Sequence, residues 1–115
     1  MYKQYKGVVL DEEEGKNIVL ALGSKKVCFL QNHGLLVATN SIEATIHFYI
    51  ALEKSCQVQL LADAAGQTVK IDDEDAAYTY KTVGTLTGGW FSGRCQLMLL
   101  EAQEGISFDF TREYK

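Results

Sequence analysis

Between Phe29 and Ala65 the chain reads FLQNHGLLVATNSIEATIHFYIALEKSCQVQLLADAA, which demands a strand pair followed by one long helix. Val27, Cys28, Phe29 and Leu30 form a short apolar run behind the Lys25-Lys26 pair, and Leu35, Leu36 and Val37 form another directly after Gly34. Two such runs predict short buried strands around a tight reversal. Asn32 and Gly34 tolerate positive backbone dihedrals, so they suit that reversal, and His33 projects from its tip. Asn40 or Ser41 then caps a helix, with Glu43 three residues after Asn40, that runs to about Ala65 and stops at Gly66. Ile42, Ile46, Tyr49, Ile50, Cys56, Leu60, Leu61 and Ala64 recur at three- and four-residue spacing and mark its buried side. A helix this much longer than the ordinary ~11 residues is expected to lie across a whole sheet.

The flanking segments read as helix, short extended piece, helix and loop. Asp11 caps a first helix with Glu14 three residues on, the acids Glu12 to Glu14 complement its positive end, and Gly23 stops it. Ile18, Val19, Leu22 and Ala21 supply its apolar stripe, with Glu12, Glu13 and Lys16 facing water. Thr68 to Ile71 reads as extended, and Asp72 to Asp75 opens a third helix through about Val83. Gly84 to Gly93 holds four of the ten glycines beside Trp90 and Phe91 and reads as a loop with a buried aromatic anchor. It carries no Gly-x-Gly-x-x-Gly or Walker pattern, so phosphate cradling is not expected. Leu97 to Leu100 and Ile106 to Phe110 read as strands or docking segments.

The 115 residues, 47% of them apolar, make one domain with a modest core. The net charge is −4 and the eleven Lys and Arg residues are scattered, which excludes the basic footprint of a nucleic-acid binder. No apolar run approaches the ~20 residues of a membrane span, and MYKQYKG is too short and polar for a secretory signal. A soluble, cytoplasmic chain is expected. Cys28, Cys56 and Cys95 show no C-x-x-C pair, which argues against a structural zinc site and a disulfide framework and fits a reducing compartment. Cys28 and Cys56 read as small core hydrophobes. His47 shares a helix face with Glu43, which reads as a surface charge arrangement. His33, one of two histidines, reads by itself as a solvated turn side chain or a local hydrogen-bond partner more readily than as a ligand, since a catalytic zinc takes three protein ligands.

Four segments, GVVLDEEEGKNIVLALG at 7 to 23, FLQNHGLLVATNSIEA at 29 to 44, ALEKSCQVQLLADAA at 51 to 65 and AYTYKTVGTLTGGWF at 77 to 91, resemble in order and spacing the class II aldolase/adducin family, the last looking like its fungal aldolase/adducin-like members. The resemblance implies an α/β fold, a partial three-layer α/β/α sandwich, with residues 1–93 as the C-terminal part of the domain and 94–115 as an extension. In the enzymes of that family, sugar-phosphate aldolases and a pentulose-phosphate epimerase, zinc is held by an earlier His-x-His pair and the histidine of the Asn-His-Gly segment. That ligand is here His33. The metal acts as a Lewis acid on a ketose phosphate. The phosphate loop, the His-x-His pair and the upstream carboxylate have no counterpart in this sequence, so the expectation is a truncated relative that is inactive and holds no zinc alone. Tyr2, Tyr5, Tyr78, Tyr80 and Tyr114 are the candidates for a C-terminal acid, and each also reads as a packing residue. The resemblance also implies an adducin-like, actin-associated binding module, and the remaining alternative is an independent small α/β domain with a new role, expected if the chain folds cooperatively as a monomer. An unpaired sheet edge points to a homo-oligomer or another partner.

Overall fold

The computed structural model describes residues 1–5, 7–8 and 11–107. Its elements run in the order α1 (Glu12–Leu22), β1 (Val27–Leu30), β2 (Gly34–Val37), α2 (Ile42–Ala65), α3 (Asp73–Val83) and α4 (Leu86–Glu104). Each helix starts on an oxygen-bearing side chain that accepts the N–H three residues on. Asp11 accepts from Glu14 at 2.7 Å, Ser41 from Ala44 at 3.1 Å, Asp72 from Asp75 at 2.8 Å and Thr85 from Gly88 at 3.0 Å. One orphan donor is thereby satisfied at each start. The acidic clusters at residues 11–14 and 72–75 are caps, as their position in the sequence predicts. Gly23 and Gly66 end α1 and α2 as expected.

β1 and β2 pair antiparallel, with Val27 opposite Val37 and Leu30 opposite Gly34. The reversal occupies residues 31–33, Asn32 takes a left-handed φ of 58°, and the His33 N–H donates to the Leu30 carbonyl at 3.1 Å. The N-terminal segment adds a parallel bridge on the other side of β1. The Tyr2 N–H donates to Phe29 O at 2.8 Å, and the Gln31 N–H donates to Tyr2 O at 3.0 Å. Along β1, Cys28 and Leu30 are buried while Phe29 between them is exposed. The apolar run is thus covered on one face only, as the two-residue period of a strand allows.

Several expectations change at this level. Among the described residues the sheet has two strands, so α2 does not cross a broad sheet there. α2 packs chiefly on α4. The segment read as a loop, Gly84 to Gly93, is largely the first half of α4, and Leu97 to Leu100 belongs to the same helix rather than to a strand. Its glycines serve close approach. A Cβ at Gly93 would fall on the Glu43 carbonyl, and one at Gly89 would meet the Phe48 ring. Gly89, Gly93 and Leu97, four residues apart, are the buried residues of α4, so the glycine stripe is the face that receives α2. Trp90 and Phe91 lie off that stripe and are exposed. Helix propensity argued against this helix, and packing overrode it.

Buried apolar residues among those described are Cys28, Leu30, Ala44 and Leu97, a smaller core than the composition predicts. Val19 on α1, and Ile42, Tyr49, Leu60, Leu61 and Ala64 on α2, are exposed, contrary to the stripes read for those helices. Thr68 to Ile71 forms no strand, with Val69 97% exposed. Ile106 and Ser107 lie in no regular element, and the remainder of the Ile106 to Phe110 run, 108–110, falls outside the described residues. No described helix is long and apolar enough to cross a membrane.

Candidate functional site

The hairpin tip is where the sequence places its candidate ligand, and the structure puts His33 there, exposed. Its backbone N–H is committed to the Leu30 carbonyl within the reversal, which leaves the imidazole free of the turn's own hydrogen bonding. The neighbour it meets is Tyr5, whose ring lies 4.5 Å from the imidazole, centroid to centroid, at 46°. The Tyr5 hydroxyl donates to the Gly7 carbonyl at 3.0 Å. The phenol is thus held at its far end, and its ring stands against the imidazole in the range of a favourable aromatic pair.

On the other side of the bridge, Tyr2 reaches α1. Its phenol lies within reach of the charge of Glu14, a buried carboxylate in the first turn. The Tyr2 phenol is pushed above the usual phenol range, first by partial burial, then by the negative charges of Glu14, Asp11 and Glu13. Glu14 combines two jobs. Its N–H completes the cap at Asp11, while the charge of its buried carboxylate helps to hold the Tyr2 phenol up.

The other candidates do not converge on His33. Among the described residues no group of three His, Cys, Asp or Glu side chains could hold a metal ion. His47 is half-buried rather than on the surface: its ring meets Phe48 at 5.3 Å in an edge arrangement, and its Nδ1 is enclosed without a hydrogen-bond partner. The surface reading of the Glu43/His47 pair is therefore corrected, since the Glu43 backbone lies against Gly93 and His47 is turned toward the interior. Cys28 is buried, Cys56 half-buried and Cys95 exposed, all as free thiols. Tyr78 and Tyr80 are exposed on α3, and Tyr114 lies outside the described residues. One imidazole does not make the three-ligand set of a catalytic zinc, so the donors gathered among the described residues do not fit that ion. No spacing in the sequence announces the Tyr5 contact or the burial of Glu14. Their one trace there is the bulky aromatic pair, Tyr2 and Tyr5, ahead of α1.

The described geometry thus comprises an exposed histidine on an Asn-His-Gly reversal followed by a Ser-capped 24-residue helix. Residues 2–60 match the profile of the Class II Aldolase and Adducin N-terminal domain, and the chain belongs to that family. It is 35% identical over 92 residues to the Decarboxylase NovR of Streptomyces niveus, covering 80% of this chain and 34% of that protein. Alpha-adducin of Rattus norvegicus is 40% identical over 68 residues, covering 56% of this chain and 9% of the relative. The L-fuculose 1-phosphate aldolase from Glaciozyma antarctica PI12 superposes with a TM-score of 0.76 at 43% identity, covering 86% of this chain and 39% of the neighbour. The described elements thus form part of a class II aldolase fold. The chain spans about a third of the length of the first curated relatives that it matches.

Proposed function

We propose that this chain is a class II aldolase/adducin segment which presents His33 as one ligand of a metal site and performs no aldol cleavage by itself. The supporting observation is the hairpin tip: an exposed imidazole in the family's Asn-His-Gly setting, which belongs to no metal-holding group of three His, Cys, Asp or Glu side chains among the described residues. In the family's enzymes the remaining ligands come from a His-x-His pair, so zinc chemistry on a sugar phosphate requires groups beyond those described here. The relatives are named as a decarboxylase, an aldolase and an adducin, which is the pattern of one scaffold carrying different sites. The substrate class is therefore set by residues outside the shared span.

Activity on L-fuculose 1-phosphate with added zinc or manganese is the direct test. No turnover is expected, and reproducible metal-dependent cleavage lost in His33→Ala would overturn the inactive reading. A thermal melt gives the complementary result: His33→Ala is expected to match the parent, and a zinc-dependent rise in Tm abolished by the substitution would show that the chain does hold zinc alone.

A second reading, an adducin-like binding and oligomerisation module in the cytoplasm, is favoured by the surface. The accessible area is 9274 Å², against roughly 6,300 Å² for a compact monomer of this size. Val58, Leu60 and Leu61 on α2 and Phe91 and Leu99 on α4 contribute to that excess. Light scattering on the eluting chain, together with actin co-sedimentation, separates the two readings. A monomer that leaves actin in the supernatant sinks the module, while a concentration-dependent oligomer supports it.

A further inference from the structure

Lys26 sits at the base of the hairpin, where its carbonyl accepts the Ala38 N–H at 2.9 Å and its backbone is fixed. Its ammonium lies 5.0 Å from the centroid of the Phe48 ring on α2 and 4.6 Å from that of the Tyr80 ring on α3, and donates to the Tyr80 hydroxyl at 3.4 Å. No described carboxylate lies within ion-pair distance of it. Two glycines make room for the rings: a Cβ at Gly84 would strike Tyr80, and one at Gly89 would strike Phe48. α3 itself has no buried residue and touches α4 only lightly.

We propose that Lys26 is a charge-dependent clasp: its ammonium, held between Phe48 and Tyr80, docks α3 onto the hairpin and α2, and neutralising that one charge releases α3 while the rest of the fold stays intact. The ring quadrupoles attract the cation, and a neutral side chain of similar length has no equivalent pull. With no apolar residue buried, α3 has little else to hold it, so its opening is local.

Native-state amide exchange on the full chain tests this. Lys26→Gln is expected to speed exchange across Asp73–Val83 by about 5- to 30-fold, the range for losing two exposed cation–π contacts, and to leave Ala44 to Ile50 and Gly89 to Leu97 unchanged. Lys26→Arg keeps a cation that stacks on aromatic faces and is expected to stay within about twofold of the parent. Tyr80→Leu removes one ring from the opposite side and is expected to act in the same direction as Lys26→Gln. Unchanged α3 exchange in Lys26→Gln or in Tyr80→Leu overturns the clasp, as does acceleration of α2 and α4 to the same degree as α3, which would mark a general loss of stability.

Discussion

The first half of α2 and its second half carry the same apolar spacing, yet they live in different surroundings. From Ile42 to Leu52 the helix lies on the glycine stripe of α4: Ala44 is fully buried, the Glu43 backbone meets Gly93, and the Phe48 ring fills the notch at Gly89. From Lys54 to Ala65 the spacing continues through Val58 and Leu61, but those residues are 65% and 71% exposed. A hydrophobic period records which face of a helix could be covered, and the covering itself is decided by what packs there. Here the partner is α4, and its reach is set by where its small residues allow two backbones to approach.

That contrast breaks most visibly at the buried end. Leu97→Ala empties the site that extends the Gly89–Gly93 stripe and is expected to cost about 2–5 kcal/mol in urea denaturation. Gly93→Ala is expected to cost about 1–3 kcal/mol despite the better helix propensity of alanine, because the obstacle is the Glu43 backbone, which yields only if α2 moves. A stabilised Gly93→Ala would mean that α2 and α4 are farther apart in solution. Ser41→Ala should cost about 1 kcal/mol, since the Ala44 N–H loses its acceptor at the start of the packed half.

Sequence patterns reveal these elements unevenly, for physical reasons. Caps are local, so Asp11, Ser41 and Asp72 announce their helices, and Gly23 and Gly66 their ends. The Asn-His-Gly reversal is equally local and marks the exposed position of His33. α4 was hidden because its glycines carry the signature of a loop, and only their four-residue repeat, Gly89, Gly93, Leu97, hints at a helix face. The same logic hides Tyr5: its contact with His33 spans the whole of α1, and no local pattern encodes it. Nor does any local pattern separate the two halves of α2, since that difference belongs to α4.

The smallest effect is the sharpest test of the comparison. Leu61→Ala removes a large apolar side chain of the kind whose loss from a core costs several kcal/mol, but Leu61 is 71% exposed, so the change is expected within about 0.5 kcal/mol. Leucine and alanine are both good helix formers, so propensity does not mask the answer. The measurement is the denaturation midpoint at two protein concentrations a hundredfold apart. A near-zero shift at both keeps the distal half of α2 as solvent-facing surface. A cost above about 1 kcal/mol that grows with concentration would mean that another copy covers this face in solution, because only an association equilibrium makes stability depend on concentration. The two halves of α2 would then differ in the identity of their cover rather than in its presence.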